Sequence, residues 1–173
     1  MEKKIRTIAS LSARSFSAYL DEVLMQNNQM GQRIRIDHPQ ASAIVPFASD
    51  KEILMVRQYR YALGKETLEI PAGKVDPGES PEQCIRRELL EETGYEAASI
   101  ERVCTYAPAI GYSNELIHIY AGRELRKANT VIDEREITSV EKVSLEKLKS
   151  MIREGLILDG KTLLGLSLMR IIP

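Results

Sequence analysis

Residues that form disulfides or bind zinc are scarce in this sequence. The 173 residues include only two cysteines, Cys84 and Cys104, and two histidines, His38 and His118. Two cysteines do not make a disulfide framework, and two histidines far apart in sequence do not make a zinc site. We therefore expect two free, buried thiols and no zinc.

The sequence also lacks a dominant charge of one sign and any long apolar run. Its formal net charge is −1, and the basic residues are scattered rather than gathered in a stripe, which argues against nucleic acid or an anionic membrane as partner. No apolar stretch approaches the ~20 residues of a membrane span. Arg14 interrupts the stretch in which a signal peptide would need its apolar core. We therefore expect a cytoplasmic protein.

No repeat, low-complexity tract or linker divides the chain, which is long enough for one domain with a hydrophobic core. Helices are predicted at 81–93, from Ser144 toward Glu154, and at 162–171. Strands on both sides of a central helix, with helices at the end, predict an α+β fold, an α/β/α sandwich with a mixed β-sheet. Short runs of branched apolar residues predict these strands at 41–47, 53–59, 67–70, 100–106, 116–121 and 137–143.

The N-terminal region leaves two alternatives open. Residues 27–31 carry a turn signal, and residues 33–37 alternate as an edge strand would. Residues 16–25 fit the first arm of a β-hairpin, or an amphipathic helix whose apolar face is formed by Tyr19, Leu20, Val23 and Leu24. We favour the hairpin.

The helix at 81–93 has clear signals at both ends. Ser80 is a good N-cap, Pro81 suits the first helical position, and Gln83 completes an S-x-x-Q capping box. Gly94 is a natural left-handed stop.

Carboxylates crowd the last turns of this helix, where the helix dipole favours cations instead. They belong to Glu88, Glu91 and Glu92, and Glu88 and Glu92 are one turn apart, so their charges repel. A further carboxylate, Glu79, lies in the Gly-rich turn before the helix. Hard divalent cations prefer several oxygen ligands in one small region. We therefore predict Mg²⁺ as the cofactor, with Mn²⁺ as the alternative.

Segment 73–95 resembles the Nudix box, G-x5-E-x7-R-E-U-x-E-E-x-G-U, in which U is a bulky aliphatic residue; it reads GKVDPGESPEQCIRRELLEETGY. Every specified position from Gly73 to Gly94 matches. Tyr95 stands at a packing position where an aliphatic residue is usual. The resemblance implies the Nudix fold and hydrolysis of a nucleoside diphosphate linked to another group.

The resemblance also implies roles for individual residues. Glu88 and Glu92 would be direct Mg²⁺ ligands, and Glu91 would assist directly or through water. The backbone carbonyl of Ala72 would be another ligand, and Arg87 would orient the acids by ion pairing. Glu79 would help to hold the loop.

The flanks of the box resemble the ADP-ribose pyrophosphatase branch of the family. An R-Q-Y-R strand at 57–60 precedes an E-I-P-A-G sequence at 69–73, and residues 155–163 are similar to the ending of that branch. The loop at 106–115 is also similar, although it reads PAIG where the family more often has SPG. This branch implies hydrolysis of ADP-ribose to AMP and ribose 5-phosphate.

Substrate contacts are expected on the R-Q-Y-R strand. We expect Arg57 or Arg60, or both, to bind phosphate or ribose by a planar two-point contact. Tyr59 and Tyr61 both offer an aromatic face to adenine, and the sequence does not choose between them. Glu115 is the candidate for contact with the terminal ribose, either across a dimer or within the chain.

An acidic loop at 133–136, DERE, resembles the D-E-x-E loop of the same branch. Its glutamates, Glu134 and Glu136, are both candidates for the base that takes the proton of the attacking water, and the sequence does not choose between them.

In this branch the N-terminal strands often exchange between the subunits of a homodimer. We therefore predict a dimerisation arm of N-terminal strands at 1–38, before a Nudix hydrolase domain at 39–173. Two alternatives to ADP-ribose hydrolysis are a related hydrolase of a sugar nucleotide such as GDP-mannose, and a non-catalytic module that only binds ADP-ribose. The intact box argues against the module.

Overall fold

The computed structural model describes residues 1–128 and 137–172, which contain ten β-strands and three α-helices. None of these helices combines the length and the apolar character needed to cross a bilayer. The helices are α1 (Pro81–Thr93), α2 (Leu145–Arg153) and α3 (Gly160–Leu168), and a short 3-10 helix spans Tyr61–Leu63. The strands are β1 (Lys3–Ser12), β2 (Ser17–Leu24), β3 (Met30–Asp37), β4 (Ala41–Ser49), β5 (Glu52–Arg60), β6 (Lys65–Glu69), β7 (Ala72–Lys74), β8 (Tyr95–Tyr106), β9 (Ile117–Lys127) and β10 (Ile137–Ser144).

The chain divides into two compact units. The first contains residues 1–40 and 106–116, and the second contains residues 41–105 and the chain from Ile117 onward. The first unit is built on an antiparallel sheet with the strand order β1-β2-β3. The strand β2 shows that the hairpin prediction for residues 16–25 is right and the helix alternative is wrong. The additional strand β1, which the sequence analysis does not predict, turns the hairpin into a three-stranded sheet.

The loop at 106–116 pairs with β3 inside the first unit. The Ile36 N–H donates to the Tyr112 carbonyl at 2.7 Å, and the Asn114 N–H donates to the Ile36 carbonyl at 3.2 Å. The Asn114 side chain then accepts from the His38 N–H at 2.8 Å. These bonds bring Glu115 to His38, where its Oε1 lies 3.4 Å from Nδ1 of the imidazole.

A mixed sheet forms the second unit. Its strand order is β10-β5-β4-β9-β8, with β6 added beside β5 and β7 beside β4. Strands β4 and β9 run parallel, whereas β5 is antiparallel to β4, β6 and β10. The prediction of a mixed sheet is confirmed.

Helices cover both faces of this sheet. Buried Ile44 of β4 packs with Ile85 and Leu89 of α1. The next residue, Val45, lies against Gly165 of α3, where an added Cβ would be 3.0 Å from its Cγ2 atom. Successive side chains of a strand point to opposite faces, so α1 and α3 lie on opposite sides of the sheet. The α/β/α sandwich is therefore confirmed.

Helix α1 begins and ends where the sequence predicts. Ser80 Oγ accepts from the Gln83 N–H at 3.2 Å, and Gln83 Oε1 accepts from the Ser80 N–H at 2.8 Å, which completes the capping box. At the other end, Gly94 adopts the left-handed conformation with φ of 73°. These local signals fix the helical register of the carboxylates on α1.

Candidate functional site

Strand β7 lies directly beside the acidic face of α1. The carboxyl of Glu88 lies directly against the backbone of Gly73. A Cβ added at Gly73 would lie only 1.9 Å from the Glu88 Cδ. One helical turn later, Oε2 of Glu92 accepts from the Ala72 N–H at 3.0 Å. The pairing of β7 with β4 holds this backbone in place. Two carboxylates thus converge on two consecutive backbone residues.

The carboxyl of Glu92 is buried, with 7% of its surface exposed. Burial and the neighbouring charge of Glu88 raise the pKa of Glu92 to about 8, while the Ala72 N–H favours the charged form. Two cations, Lys161 and Arg60, act in the same direction as this N–H but do not cancel the effect of burial. The pair of acids therefore lacks full charge compensation from the protein.

Arg87 is the centre of an ion-pair cluster next to this carboxylate pair. Its Nε and Nη2 donate to Glu79 at 3.0 and 2.9 Å, and Nη1 donates to Glu88 at 2.7 Å and to Glu91 at 3.1 Å. Nη2 also donates to the Lys74 carbonyl at 3.2 Å, so all five N–H donors have acceptors. The hydrogen bonds with Arg87 lower the pKa of Glu79 and raise that of Arg87.

This geometry agrees with the predicted orienting role of Arg87 and adds a detail. The crowding of acids at this end of α1 predicts a metal, whereas in the structure the single guanidinium of Arg87 pairs with Glu79, Glu88 and Glu91. Glu92 is the exception, since it forms no ion pair within the described residues.

The donor set is suitable for a divalent cation. Residues 1–128 and 137–172 contain no group of three His, Cys, Asp or Glu side chains already arranged around a common point. The carboxylates of Glu88 and Glu92 nevertheless lie together at the backbone of Ala72 and Gly73, and Glu92 is buried without an ion-pair partner among the described residues. Hard oxygen ligands of this kind fit Mg²⁺ or Mn²⁺.

Cys84 links α1 to β7 through its thiol. The Sγ donates to the carbonyls of Lys74 at 3.3 Å and Gly73 at 3.6 Å, and burial raises the pKa of Cys84 to about 12. This thiol therefore resists ionisation. Both cysteines are free, as predicted, but Cys104 is only half-buried.

Arg57 and Arg60 lie three residues apart on β5 and therefore on opposite faces of the strand. Arg57 pairs with Glu141 of β10 through Nε at 2.9 Å and Nη2 at 2.8 Å. Arg60 pairs with Glu69 of β6 through Nε at 2.8 Å and Nη2 at 2.6 Å. Tyr59, on the Arg57 face, is 56% exposed. Each arginine is thus oriented by a carboxylate partner.

Two buried charged residues, Glu69 and Lys161, have no role predicted from the sequence. The Lys161 ammonium donates to Glu69 Oε2 and lies 3.0 Å from Asp159 Oδ1. Glu69 also accepts from Thr67 at 2.6 Å. The sequence offered one signal for each residue, since Glu69 begins the E-I-P-A-G segment and Lys161 lies in the GLILDGKTL segment. It could not show that the two side chains are in contact.

The remaining predicted residues fall in other places. Glu115 belongs to the first compact unit, beside His38. The acidic loop at 133–136, with Glu134 and Glu136, lies outside the described residues.

The comparison with family profiles decides the affiliation of the chain. Residues 37–161 match the profile described as NUDIX domain. The chain belongs to the Nudix family. Within this family the protein is a pyrophosphatase that acts on a nucleoside diphosphate derivative, and the family typically uses a divalent metal.

Several relatives match nearly the whole chain. A methanol dehydrogenase activator from Bacillus methanolicus is 35% identical, over 98% of this chain and 93% of that protein. An ADP-ribose pyrophosphatase from Bacillus subtilis (strain 168) is 32% identical, over 93% and 88%. A GDP-mannose pyrophosphatase from Yersinia enterocolitica is 31% identical, over 95% and 94%.

A solved structure confirms the Nudix fold. The crystal structure of an ADP compounds hydrolase matches with a TM-score of 0.80 and 22% identity, over 97% of this chain and 93% of that chain. At that level of identity the likeness shows the fold alone.

The Arg87 cluster makes a prediction about stability. Substitution of Arg87 by Met keeps most of the aliphatic volume but leaves Glu79, Glu88 and Glu91 without their shared partner. We expect the free energy of unfolding to fall by about 1–3 kcal/mol. Urea unfolding followed by circular dichroism measures the change.

The neighbouring Arg86→Met variant is the matched control. Arg86 forms an exposed ion pair with Glu82, so its loss is expected to cost no more than about 1 kcal/mol. Equal losses in the two variants would show that the Arg87 cluster adds no special stability.

Proposed function

We propose that the protein hydrolyses the diphosphate bond of ADP-ribose, with Mg²⁺ as cofactor, to give AMP and ribose 5-phosphate. The observation that carries this proposal is the pair Glu88 and Glu92, held together on the backbone of Ala72 and Gly73 within an intact Nudix box. The R-Q-Y-R and E-I-P-A-G flanks and the similarity to the ADP-ribose pyrophosphatase of Bacillus subtilis support ADP-ribose as the substrate.

Glu88, Glu92 and the carbonyl of Ala72 hold the metal ion in this proposal, and Glu91 assists. The bound ion supplies charge neutralisation of the diphosphate and a lower pKa of a coordinated water. Arg87 keeps three of the acids, among them Glu88 and Glu91, in fixed orientations through its five donors. Mn²⁺ is the alternative ion for the same set of oxygen donors.

The substrate is bound by residues outside the box. Arg60 binds the diphosphate or a ribose, and Arg57 with Tyr59 forms a second candidate surface on the other face of β5, where the exposed ring of Tyr59 is available to adenine. Glu115 contacts the terminal ribose.

The base that takes the proton of the attacking water is Glu134 or Glu136. Separate glutamine variants distinguish them, because replacing the base reduces turnover by a factor of about 10²–10⁴ and replacing its neighbour has a mild effect. Two small, equal losses would remove the base from this loop.

A substrate panel tests the proposed function. We expect ADP-ribose to be cleaved faster than GDP-mannose, NADH, diadenosine polyphosphates or a nucleoside triphosphate in the presence of Mg²⁺. Chromatography of the products identifies AMP and ribose 5-phosphate. Removal of the metal with a chelator abolishes turnover, and added Mg²⁺ restores it.

The second candidate is hydrolysis of another sugar nucleotide, which the similarity to the GDP-mannose pyrophosphatase of Yersinia enterocolitica favours. Faster release of GMP from GDP-mannose would select it. Binding of ADP-ribose without any hydrolysis across the panel would instead indicate a non-catalytic module. The similarity to a methanol dehydrogenase activator supports testing for this outcome.

We also propose that the N-terminal strands at 1–38 form the dimerisation arm of a homodimer. The register of β1–β3 puts Ala9, Leu11, Leu20 and Ile34 on one face of the sheet. Leu11 and Ile34 are 71% and 62% exposed, and an apolar face of this kind favours burial against another chain. Light scattering at micromolar concentration should give the mass of two chains, and a single monomeric species would contradict the arm.

A further inference from the structure

Glu69 is a buried carboxylate whose hydrogen-bonding capacity is filled by three side chains. Two N–H groups of Arg60 donate to it, and it also accepts from the Thr67 hydroxyl and the Lys161 ammonium. Burial alone would raise the pKa of Glu69, but the bonds and charges of Arg60 and Lys161, together with Thr67, lower it to about 2. Glu69 therefore remains ionised at neutral pH and is saturated with donors, so it is not available as a proton acceptor.

Arg60 uses only one edge of its guanidinium on Glu69. Its Nε and Nη2 are engaged, while Nη1 donates to no protein group within residues 1–128 and 137–172. The Arg60 side chain is 40% exposed, whereas that of Glu69 is 3% exposed. The engaged edge is thus the buried one, and the Nη1 edge remains for a ligand.

Lys161 binds Glu69 at Oε2, the same oxygen that accepts from Nη2 of Arg60. It lies in the first turn of α3, where Asp159 caps the helix by accepting from the Thr162 N–H at 2.9 Å. The Thr162 hydroxyl in turn accepts from the Ile70 N–H at 3.0 Å, so α3 is tied to the residue that follows Glu69. Lys161 itself is 8% exposed, which places its ammonium away from solvent.

The contacts explain what Lys161 adds. Lys161 shares Glu69 Oε2 with Arg60 and also pairs with Asp159, so it anchors the carboxylate to α3. The anchored carboxylate fixes the plane of the Arg60 guanidinium through two hydrogen bonds. A fixed guanidinium with one open edge favours two-point binding of a phosphate.

We propose that Lys161 is a positioning residue for the substrate, acting through Glu69 to hold the open edge of Arg60 toward the diphosphate. The proposal deepens the proposed function and rests on the substrate-binding role of Arg60 given there. It assigns no contact between Lys161 and the substrate.

The test is a double-mutant cycle on the full chain. Lys161→Met removes the ammonium and keeps the length of the side chain. We expect it to raise KM for ADP-ribose about tenfold with kcat changed by less than about twofold, since uniform binding of substrate and transition state is lost. In an Arg60→Ala background, the same substitution should leave KM unchanged, because the effect passes through Arg60.

The conservative variant and the control separate positioning from structural damage. Lys161→Arg keeps the charge and is expected to restore KM, and Lys147→Met removes an exposed lysine of α2 and is expected to match the wild type. If Lys161→Met does not fold, Lys161→Gln, which retains a donor without the charge, replaces it in the same cycle.

Two different failures can be distinguished. Normal KM in Arg60→Ala would overturn the proposed role of Arg60. A raised KM in Arg60→Ala together with a normal KM in Lys161→Met, or an equal effect of Lys161→Met in both backgrounds, would overturn the role of Lys161 alone.

Discussion

Glu92→Gln is expected to reduce kcat by about three orders of magnitude while the protein remains folded. The amide oxygen of glutamine can still accept from the Ala72 N–H, which in the wild type donates to Glu92 at 3.0 Å. The substitution removes the ionisable carboxyl of Glu92, which is buried beside Glu88 and forms no ion pair within the described residues. A neutral group at this position therefore weakens cation binding without a cost in folding.

The measurement combines turnover of the preferred substrate with a metal titration. Isothermal calorimetry with Mg²⁺ or Mn²⁺ should show weaker binding to Glu92→Gln, and thermal unfolding without metal should match or exceed that of the wild type. Glu82→Gln is the matched control, because Glu82 lies on the same helix but, among the residues that the structure describes, pairs only with exposed Arg86. Near-normal turnover in Glu92→Gln would show that the metal assignment is wrong.

Gly73→Ala is expected to lower kcat/KM by about two orders of magnitude with little loss of stability. The new Cβ would lie 1.9 Å from Cδ and Oε1 of Glu88, far inside van der Waals contact. The clashing atoms are the far end of a flexible side chain, so we expect the carboxyl to swing away rather than the strand to move. A displacement of about 1 Å in a catalytic constellation can cost 10²-fold in rate.

Gly160→Ala serves as the control for Gly73→Ala, since a Cβ at Gly160 meets no atom of residues 1–128 or 137–172 within 4 Å. The two alanine variants should unfold at similar urea concentrations and differ in activity. If Gly73→Ala retains wild-type activity, the position of the Glu88 carboxylate on the backbone of Gly73 is not required for turnover. A large loss of stability in Gly73→Ala would mean that the strand moves instead of the side chain.

The regular elements near the box could be predicted because their signals are local. Helix α1 runs from Pro81 to Thr93 as predicted, since its cap at Ser80 and its stop at Gly94 depend on residues within one turn. The strand β4 could be predicted from its run of branched apolar residues, which is buried on both faces because Ile44 and Val45 face opposite helical layers. The β1 strand had no such signal, as its long exposed run lacks a buried face.

Which side chains of the site form ion pairs with one another could be seen only in the tertiary structure. The sequence predicted that acids would gather at the end of α1, and it predicted an ion pair with Arg87. It did not show that one guanidinium would engage Glu79, Glu88 and Glu91 and leave Glu92 aside, because that depends on how the turn before α1 folds back.

By itself, the sequence determined the fold and the family and predicted the region of the site, since the fixed spacing of the Nudix box and the helix caps are properties of neighbouring residues. Only the tertiary structure decided that Arg57 and Arg60 have separate carboxylate partners on opposite faces of β5. It also decided that Glu69 meets Lys161 across 92 residues of chain. Contacts at such separations arise from the packing of α3 against the sheet, and no local pattern of residues encodes which charged groups that packing brings together.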